Sequence, residues 1–274
     1  MKTIGVLGLG IIGSAWARHY ADAGVSGGVW NRTPKPDFPN WKATPEAVAE
    51  ASDAIQIVVA DPPAVQLILD RILPKLGPGK LVIQSSTIDP ESSEKFRLQV
   101  EGRGALYLES PFTGSKLAAE SRQTVYYQGG AADVIAKAEP FLSLVSNARF
   151  IIGTNKQAAA LKLAMNLNIA VQMQALSESL TMVRRAGISD DVYFKALEKN
   201  ASYSGVTKLK EPKLRSGDFS PQFSVKHMHK DMRLAAGDPD GAKLPLLAAV
   251  RDCLKAAEVR GLGDEDISAV IKLL

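Results

Sequence analysis

The sequence is poor in the residues that build disulfides and metal sites. It has one cysteine, Cys253, in 274 residues, so no internal disulfide can form. Its three histidines, His19, His227 and His229, do not fall at the spacing of a metal-ligand set. We therefore expect no bound metal, and the scarcity of cysteine agrees with a cytoplasmic location.

The sequence also lacks the charge clusters and long apolar runs that would indicate nucleic-acid or membrane binding. The net charge is +4, and no run of Lys or Arg exceeds two residues. No segment reaches the roughly 18 uninterrupted apolar residues of a membrane span. Lys2 and the apolar run that follows it to Ala17 imitate a secretory signal, but the glycines at 8, 10 and 13 have the spacing of a functional motif, which argues against that interpretation. We expect neither nucleic acid nor a membrane as partner.

A glycine motif near the N-terminus is the strongest functional signal. An apolar run, residues 3–7, precedes it, and a segment able to form a helix follows. A strand, a glycine-rich turn and a helix in this order suit the pyrophosphate of a dinucleotide. The first glycine permits the tight turn, the second lets phosphate approach the backbone, and the third lets the helix pack on the strand. The predicted cofactor contacts are Gly8, Leu9, Gly10, Ile11, Ile12 and Gly13.

The end of the second predicted strand, residues 25–30, bears on the choice of cofactor. An Asp or Glu commonly stands there to bind the ribose hydroxyls of NAD, but this chain has Asn31, Arg32 and Thr33. A guanidinium and a hydroxyl suit a 2′-phosphate, so these three residues predict NADP(H). The alternative is that Arg32 is a solvated residue in a turn.

Apolar runs alternate with helical segments as far as residue 157. They predict a Rossmann-type α/β domain, residues 1–157, with a parallel sheet covered by helices on both faces. Hydroxyl-rich or polar segments follow several of these runs, where open α/β sheets bind ligands. Asp61 should cap a helix that begins at Pro62. The further strands are predicted at 55–59, 81–84, 105–109, 124–128 and 148–152.

Residues 158–274 are predicted to form an all-α domain, entered through a long central helix. The stretch 157–186 has no Gly or Pro and is nearly apolar in its first half, so we expect a buried helix. No strong strand signal follows. Further helices are predicted at 191–200, 208–214, 223–236, 245–259 and 264–273.

Lys162 and Asn166 lie inside this apolar helix, one turn apart on one face. Burying an ammonium is unfavourable unless something compensates, so Lys162 is a candidate proton donor to a carbonyl oxygen. The alternative is that it reaches the surface or pairs structurally with a carboxylate. By themselves, Lys230 and Asp231 indicate a local surface charge pair.

Taken together, these stretches resemble the β-hydroxyacid dehydrogenase family, which includes 3-hydroxyisobutyrate dehydrogenases and glyoxylate/succinic semialdehyde reductases. The similarity spans the whole chain. The glycine motif resembles the family's dinucleotide loop, and residues 86–89 resemble its Ser-Thr segment near the nicotinamide. Residues 111–115 stand where its substrate-binding Ser-Gly-Gly element lies. Lys162 and Asn166 resemble its catalytic pair, and residues 219–231 resemble its C-terminal motif.

The resemblance implies a role for each matching residue. It makes Lys162 and Asn166 catalytic, and Lys230 a residue beside the cofactor. The implied substrate contacts are Thr87, Thr113, Gly114, Ser115, Phe223 and Asp231, and the further cofactor contacts are Val59, Ala60, Asp61 and Thr87.

The chain departs from the family pattern at Thr113, Ser115 and Met165, where the family often has Ser, Gly and Asn. These departures bear on the substrate more than on the reaction. Met165, Met173 and Tyr203 are pocket candidates by position alone, and core packing is the simpler interpretation of all three.

We therefore expect an NADPH-dependent oxidoreductase of a small substrate that carries a carboxylate, an aldehydo acid, keto acid or β-hydroxyacid. An imine reductase, a 3-hydroxyisobutyrate dehydrogenase working oxidatively and a non-catalytic NADP-binding module are the alternatives. Imine reductases commonly have Asp or Tyr where Lys162 stands, which argues against the first. The resemblance further implies a homodimer or homotetramer.

Overall fold

The computed structural model describes residues 1–237 and 244–274. They divide into two units, Met1–Leu163 and Ala164–Leu274, and the division lies within helix α7 (Asn155–Arg185). The first unit is α/β and the second is helical, in agreement with the predicted fold class. The domain boundary placed at residue 157 stays a prediction.

An eight-stranded sheet forms the centre of the first unit. The first five strands are parallel, in the order β2-β1-β3-β4-β5. Strands β1, β3 and β4 consist entirely of buried residues, as expected for a sheet covered on both faces. The strands are β1 (Ile4–Leu7), β2 (Ser26–Trp30), β3 (Ala54–Ile57), β4 (Leu81–Gln84), β5 (Leu106–Glu109), β6 (Phe112–Thr113), β7 (Thr124–Gly129) and β8 (Ser146–Gly153).

The expectation of an all-parallel sheet was wrong for the last three strands. Strand β7 runs antiparallel to β5 and β6, and β8 pairs with β7 in parallel. The connection from β6 to β7, residues 114–123, is shorter than the dozen or more residues of a parallel crossover. The two-residue strand β6 was also missed, because two residues are too few to show a period.

Seven helical segments accompany the sheet. Asp61 Oδ1 accepts from the backbone N–H of Ala64 at 2.8 Å and so caps α3, as predicted. Pro62 occupies the first helical position, where no N–H is needed. The helices are α1 (Ile11–Asp22), α2 (Pro45–Ala51), α3 (Pro62–Ile72), α4 (Pro90–Glu101), α5 (Lys116–Glu120) and α6 (Ala132–Leu142), with a 3₁₀ turn at Leu73–Lys75.

The carboxyl ends of the five parallel strands meet at one edge of the sheet, which is where this class of fold binds ligands. The glycine motif follows β1 and Asn31 follows β2. Val59 lies just beyond β3, Ser86 just beyond β4, and residues 110–115 follow β5. Parallel pairing therefore brings segments that are far apart in sequence to the same edge.

The described residues of the second unit form the rest of α7, four further α-helices and a 3₁₀ helix. Its core includes Met173, Met228 and Met232, so Met173 packs as expected. Helix α7 buries only part of its surface, and the expectation of a buried helix was wrong for exposed positions such as Met165 and Met182. The elements are α8 (Asp190–Leu197), α9 (Gly205–Ser216), α10 (Val225–Ala236), α11 (Pro245–Val259) and a 3₁₀ helix (Ile267–Leu273), which replaces the α-helix expected at 264–273.

Two absences hold for the described part of the chain. Across residues 1–237 and 244–274, none of the helices has the length and apolar character needed to cross a membrane. Over the same ranges, no group of three or more His, Cys, Asp or Glu side chains is arranged to hold a metal ion.

Candidate active site

The glycine turn after β1 is shaped by close backbone contacts. Gly8 has φ +115°, and a Cβ there would lie 2.1 Å from the carbonyl oxygen of Val58. A Cβ on Gly13 would lie 2.0 Å from the carbonyl oxygen of Gly8, so helix α1 packs directly on the turn. A Cβ on Gly10, by contrast, would meet nothing within 4 Å. The first and third glycines are therefore required by the fold, whereas the second borders open space.

The N-terminus of α1 begins at this open side. Gly10 is its N-cap residue and no side chain caps it, so the N–H groups of the first turn point toward the open side. Ile11 is exposed, while Ile12 packs against the core. An uncapped helix start beside an open glycine fits a dinucleotide pyrophosphate, because N–H groups and the helix dipole both favour negative charge.

The residues after β2 reach back to this turn. Asn31 Oδ1 accepts from the backbone N–H of Leu9 at 2.9 Å, and Asn31 Nδ2 donates to the carbonyl oxygen of Thr33 at 2.9 Å. Lys35 Nζ donates to the carbonyl oxygen of Leu9 at 2.6 Å. Arg32 is exposed. Asn31 thus braces the turn, and Arg32 and Lys35 provide two cations next to it.

The exits of β3 and β4 are joined by Ser86. Its Oγ accepts from the backbone N–H of Val59 at 2.8 Å. Thr87 is half-buried and lies between Ser86 and the buried Ile88. The predicted cofactor contacts Val59 and Thr87 therefore belong to segments that one hydrogen bond ties together.

The predicted substrate element begins on the short strand β6. Thr113 pairs with Val125 of β7, and Gly114 has φ +146°, a conformation that favours glycine. Ser115 Oγ accepts from the backbone N–H of Ala118 at 3.3 Å and caps α5. A hydroxyl that accepts at a cap keeps its own proton for donation. This arrangement can offer two hydroxyl groups and a glycine backbone to an anion.

Lys162 is buried beside this element within the first unit. Its side chain is 7% exposed, and Nζ lies 5.9 Å from the centroid of the Phe112 ring. The face of an aromatic ring stabilises an ammonium electrostatically. Phe112 is itself held edge-on by Trp16, with ring centroids 4.7 Å apart. Phe112 directly precedes Thr113 in the chain, so Lys162 packs against strand β6, where the predicted substrate element begins, and its burial shows that the surface alternative for Lys162 was wrong.

A second cluster of predicted residues lies in the second unit. Asn166 and Asp231 are both buried, and Asn166 Nδ2 donates to Asp231 Oδ2 at 2.5 Å. Lys230 Nζ lies 2.5 Å from Asp231 Oδ1, in the geometry of an ion pair rather than of an aligned hydrogen bond. The surface-pair interpretation of Lys230 and Asp231 was therefore wrong. With one oxygen against an amide and the other against an ammonium, Asp231 is arranged to orient both neighbours.

Phe223 is positioned by a residue that the sequence reasoning missed. Asp266 is fully buried, and its Oδ2 accepts from the backbone N–H groups of Gln222 and Phe223 at 2.9 and 3.2 Å. Lys210 Nζ lies 2.8 Å from both oxygens of Asp266. Burial opposes ionisation of Asp266, but Lys210 and the N–H donors outweigh it and hold the pKa of this carboxyl below its usual value.

These contacts explain why helix α10 begins at Val225 and not at 223. The backbone of Phe223 forms hydrogen bonds with residues 266 and 267 instead of continuing a helix.

The sequence reasoning also missed Lys35 as a cation next to the glycine turn, although a second cation three residues after Arg32 is visible in the sequence. No local pattern could have found the contact of Asp266 with Gln222 and Phe223, because these two residues are more than forty positions away.

Comparison with known families gives two matches that together cover nearly the whole chain. Residues 3–153 match the NAD-binding domain of 6-phosphogluconate dehydrogenase. Residues 157–274 match the NAD-binding domain of NADP-dependent 3-hydroxyisobutyrate dehydrogenase.

Individual relatives agree with these matches. The chain is 33% identical to glyoxylate/succinic semialdehyde reductase 2, chloroplastic, of Arabidopsis thaliana, over 99% of its own length and 79% of that protein. It is 32% identical to glyoxylate/succinic semialdehyde reductase 1 of the same plant, over 98% and 97%. A Mycobacterium tuberculosis 3-hydroxyisobutyrate dehydrogenase with L-serine superposes with TM-score 0.87 at 26% identity, covering 100% of this chain and 99% of that one.

Proposed function

The chain belongs to the β-hydroxyacid dehydrogenase family of NAD(P)-dependent oxidoreductases, and we propose that it is an NADPH-dependent reductase of a small aldehydo or keto acid. One observation carries the proposal: Lys162 is a buried cation packed against Phe112, immediately before the hydroxyl-rich element that begins at Thr113. Glyoxylate and succinic semialdehyde are the first substrates to test, because two relatives are named for them.

The chemistry divides between the cofactor and the lysine. A nicotinamide cofactor, when bound, supplies the hydride for the carbonyl carbon. Lys162 gives its proton to the carbonyl oxygen as negative charge develops there, which leaves an alcohol and a neutral amine. In the oxidative direction the neutral amine accepts the alcohol proton. A cation already fixed by its surroundings needs little reorganisation during the step.

Asn166 and its partners support the lysine in this scheme. Asn166 follows Lys162 by one helical turn, and its amide is oriented by Asp231. Asp231 is a poor direct ligand for a carboxylate substrate, since like charges repel. We assign it the orientation of Asn166 and Lys230. Phe223 provides an apolar contact for the substrate chain.

The substrate carboxylate is assigned to the element after β5. Thr113 and Ser115 offer hydroxyl groups, and Gly114 offers a backbone N–H without a side chain in the way. Thr87 helps to place the nicotinamide ring or the substrate. Several neutral donors around the carboxylate would hold the substrate in a fixed orientation, with its carbonyl group close to the reacting groups.

The preference for NADPH rests on the residues that follow β2. Arg32, Thr33 and Lys35 provide two cations and a hydroxyl, and Asn31 stands where a carboxylate would repel a 2′-phosphate. A solvated Arg32 is the competing interpretation, and the Arg32→Glu variant distinguishes the two.

A substrate panel tests the proposal. The purified chain should oxidise NADPH, followed by absorbance, in the presence of glyoxylate or succinic semialdehyde and should leave a cyclic imine unchanged. Reduction of the imine alone would favour an imine reductase. Turnover of 3-hydroxyisobutyrate with NADP⁺, but of no aldehyde, would favour the oxidative enzyme. NADPH binding with no turnover of any substrate would favour a non-catalytic module.

Replacement of the lysine tests the mechanism. Lys162→Ala should lower kcat by about 10²- to 10⁴-fold, the usual contribution of a general acid. The affinity for NADPH should change little, because the glycine turn is untouched. Lys156→Ala is the matched control: Lys156 lies on the same helix but is paired with Glu91 at the surface. Near-normal turnover by Lys162→Ala would show that Lys162 is not the proton donor.

A further inference from the structure

A buried carboxyl in the first unit has no role in the scheme above. Glu109 ends strand β5 and is fully buried. Its Oε2 accepts from Ser93 Oγ at 2.7 Å and from Tyr107 Oη at 2.8 Å, and its Oε1 accepts from Gln84 Nε2 at 3.1 Å. All three donors are uncharged. A carboxyl that is buried among neutral donors lowers the stability of the folded protein when it ionises. Stabilisation of the core therefore does not explain why a glutamate stands here.

Gln84 connects this carboxyl to the loop after β4. It ends β4 and is the direct neighbour of Glu109 across the two parallel strands. Gln84 Nε2 also donates to the carbonyl oxygen of Ser86 at 2.8 Å, and the backbone N–H of Ser86 donates to Gln84 Oε1 at 2.8 Å. One amide side chain therefore holds both backbone polar groups of Ser86.

Glu109 reinforces the orientation of the Gln84 amide that the backbone of Ser86 also requires. With Oε1 toward the N–H of Ser86, the amide places Nε2 toward two acceptors, Ser86 O and Glu109 Oε1. In the flipped orientation two donors would face each other and Oε1 would face two acceptors. Glu109 Oε1 accepts in either protonation state as long as a proton, when present, resides on Oε2 toward the hydroxyls.

Ser86, the residue that Gln84 holds, links the segments that follow β3 and β4. Ser86 Oγ accepts from the N–H of Val59, so the same residue is fixed through its N–H, its carbonyl oxygen and its side chain. Thr87 follows immediately. Its position depends on Ser86 through one peptide unit, which has only two soft dihedral angles per residue.

We propose that Glu109 is a positioning residue, which acts through Gln84 and Ser86 to set the place of Thr87 at the nicotinamide end of the cofactor site. This inference rests on the proposed function. It assigns no contact between Glu109 and any ligand. Instead it separates the dinucleotide site into two parts: the glycine turn holds the pyrophosphate and adenosine half, and the Glu109–Gln84–Ser86 chain shapes the nicotinamide half.

The affinities of two ligands, one with and one without the nicotinamide half, test this division of the site. Isothermal titration with NADPH and with adenosine 2′,5′-bisphosphate, which has no nicotinamide, gives a ratio of dissociation constants for each variant. Glu109→Met keeps the length of the side chain but removes the acceptors, and Gln84→Met breaks the same chain from the other side. Glu109→Gln retains a carbonyl acceptor for Gln84, and its Nε2 can donate to the hydroxyls.

We expect both Met variants to lower kcat by about 10- to 100-fold, the effect of misplacing a reactant by a fraction of an ångström to one ångström. The dissociation constant of NADPH should rise several-fold, while that of the bisphosphate stays unchanged. Glu109→Gln should keep kcat and the dissociation constant of NADPH close to those of the parent protein. If one Met variant does not fold, the other carries the test, because each breaks the same link.

A carboxylate at the opposite end of the sheet supplies the control for a merely structural effect. Asp53 Oδ2 accepts from the backbone N–H groups of Lys2 and Thr3 at 2.6 and 3.1 Å, just before β1 and β3 begin and therefore at the other end of these strands from the loops that follow them. Asp53→Ala removes both bonds. It should lower the Tm and leave kcat and both dissociation constants unchanged. Met variants that fold and keep the parent kcat and the parent ratio of constants would overturn the inference.

The two proposals fail in different ways. If the unmodified protein binds NADPH but reduces no substrate, the proposed function fails while the ratio of dissociation constants still tests Glu109. If the unmodified protein is active and the ratio is the same in every variant, the positioning role fails and the reductase proposal stands.

Discussion

Asn166 donates from Nδ2 to Oδ2 of Asp231 at 2.5 Å, although 65 positions separate the two residues in the sequence. Lys230 approaches the other oxygen of the same carboxylate. All three side chains are largely buried, so the carboxylate fixes an amide and an ammonium in an environment where charges interact strongly. The sequence pattern alone pointed to a surface pair.

Asp231→Asn removes the negative charge that Lys230 and Asn166 share. We expect kcat/KM to fall by about 10-fold or more, because a buried ammonium is left without its anionic partner. Steady-state kinetics with NADPH and glyoxylate measure the loss. Asp264→Asn is the control, since Asp264 pairs at the surface with Lys226, which lies on the same helix as Asp231. Equal losses in the two variants would contradict an orienting role for Asp231.

Arg32→Glu tests the choice of cofactor. A carboxylate there repels a 2′-phosphate and suits ribose hydroxyl groups, so KM for NADPH should rise by about 10-fold or more while KM for NADH stays level or falls. Arg103→Glu makes the same charge change at an exposed turn after α4 and should alter neither constant. An unchanged ratio of NADPH to NADH efficiency in Arg32→Glu would show that Arg32 has no part in the choice of cofactor.

Gly10→Ala and Gly13→Ala separate the ligand from the fold. A Cβ on Gly10 meets no protein atom within 4 Å, so Gly10→Ala should keep its Tm but bind NADPH more weakly. Gly13→Ala places a Cβ against the backbone of Gly8 and should lower the Tm. Gly205→Ala, at an equally open position in α9, is the control and should leave NADPH affinity unchanged. An unchanged affinity for NADPH in Gly10→Ala would contradict the binding of the pyrophosphate at this turn.

Glu109 should make the stability of the protein depend on pH. Burial raises the pKa of its carboxyl to about 8, although the hydrogen bonds from Ser93, Tyr107 and Gln84 oppose the rise, and the nearby Asp89 adds to it. In the unfolded chain the same carboxyl ionises near its ordinary value of 4.5. Its favourable contribution is therefore complete below pH 4.5, is lost as pH rises toward 8, and changes no further above that.

Urea unfolding of the parent protein and of Glu109→Gln between pH 5 and 9 checks this dependence. The free energy of unfolding of the parent, measured relative to the variant, should decrease from pH 5 to about 8 and then level off. Other titrating groups are common to both proteins and cancel in the difference. A difference that stays constant over the whole range would show that Glu109 ionises normally.

The elements that could be predicted are those encoded by neighbours in the chain. The spacing of Gly8, Gly10 and Gly13 predicted the strand, turn and helix around them. Strand β4 and helix α11 have the predicted bounds, and Asp61 caps α3 as expected, because apolar periodicity and capping act over one to four residues. The roles of Lys162 and of the remaining site residues stay predictions, supported by the geometry around them.

What the sequence by itself determined is the fold class, the family and the location of its motifs, since these depend on local chemistry repeated in order along the chain. Only the tertiary structure decided that β7 runs antiparallel to β5, that Asp231 orients Asn166, that Asp266 holds Phe223 and that Glu109 meets Gln84. Each of these pairings joins residues at least twenty positions apart. Such contacts depend on how the chain closes upon itself, and no short stretch of sequence contains that information.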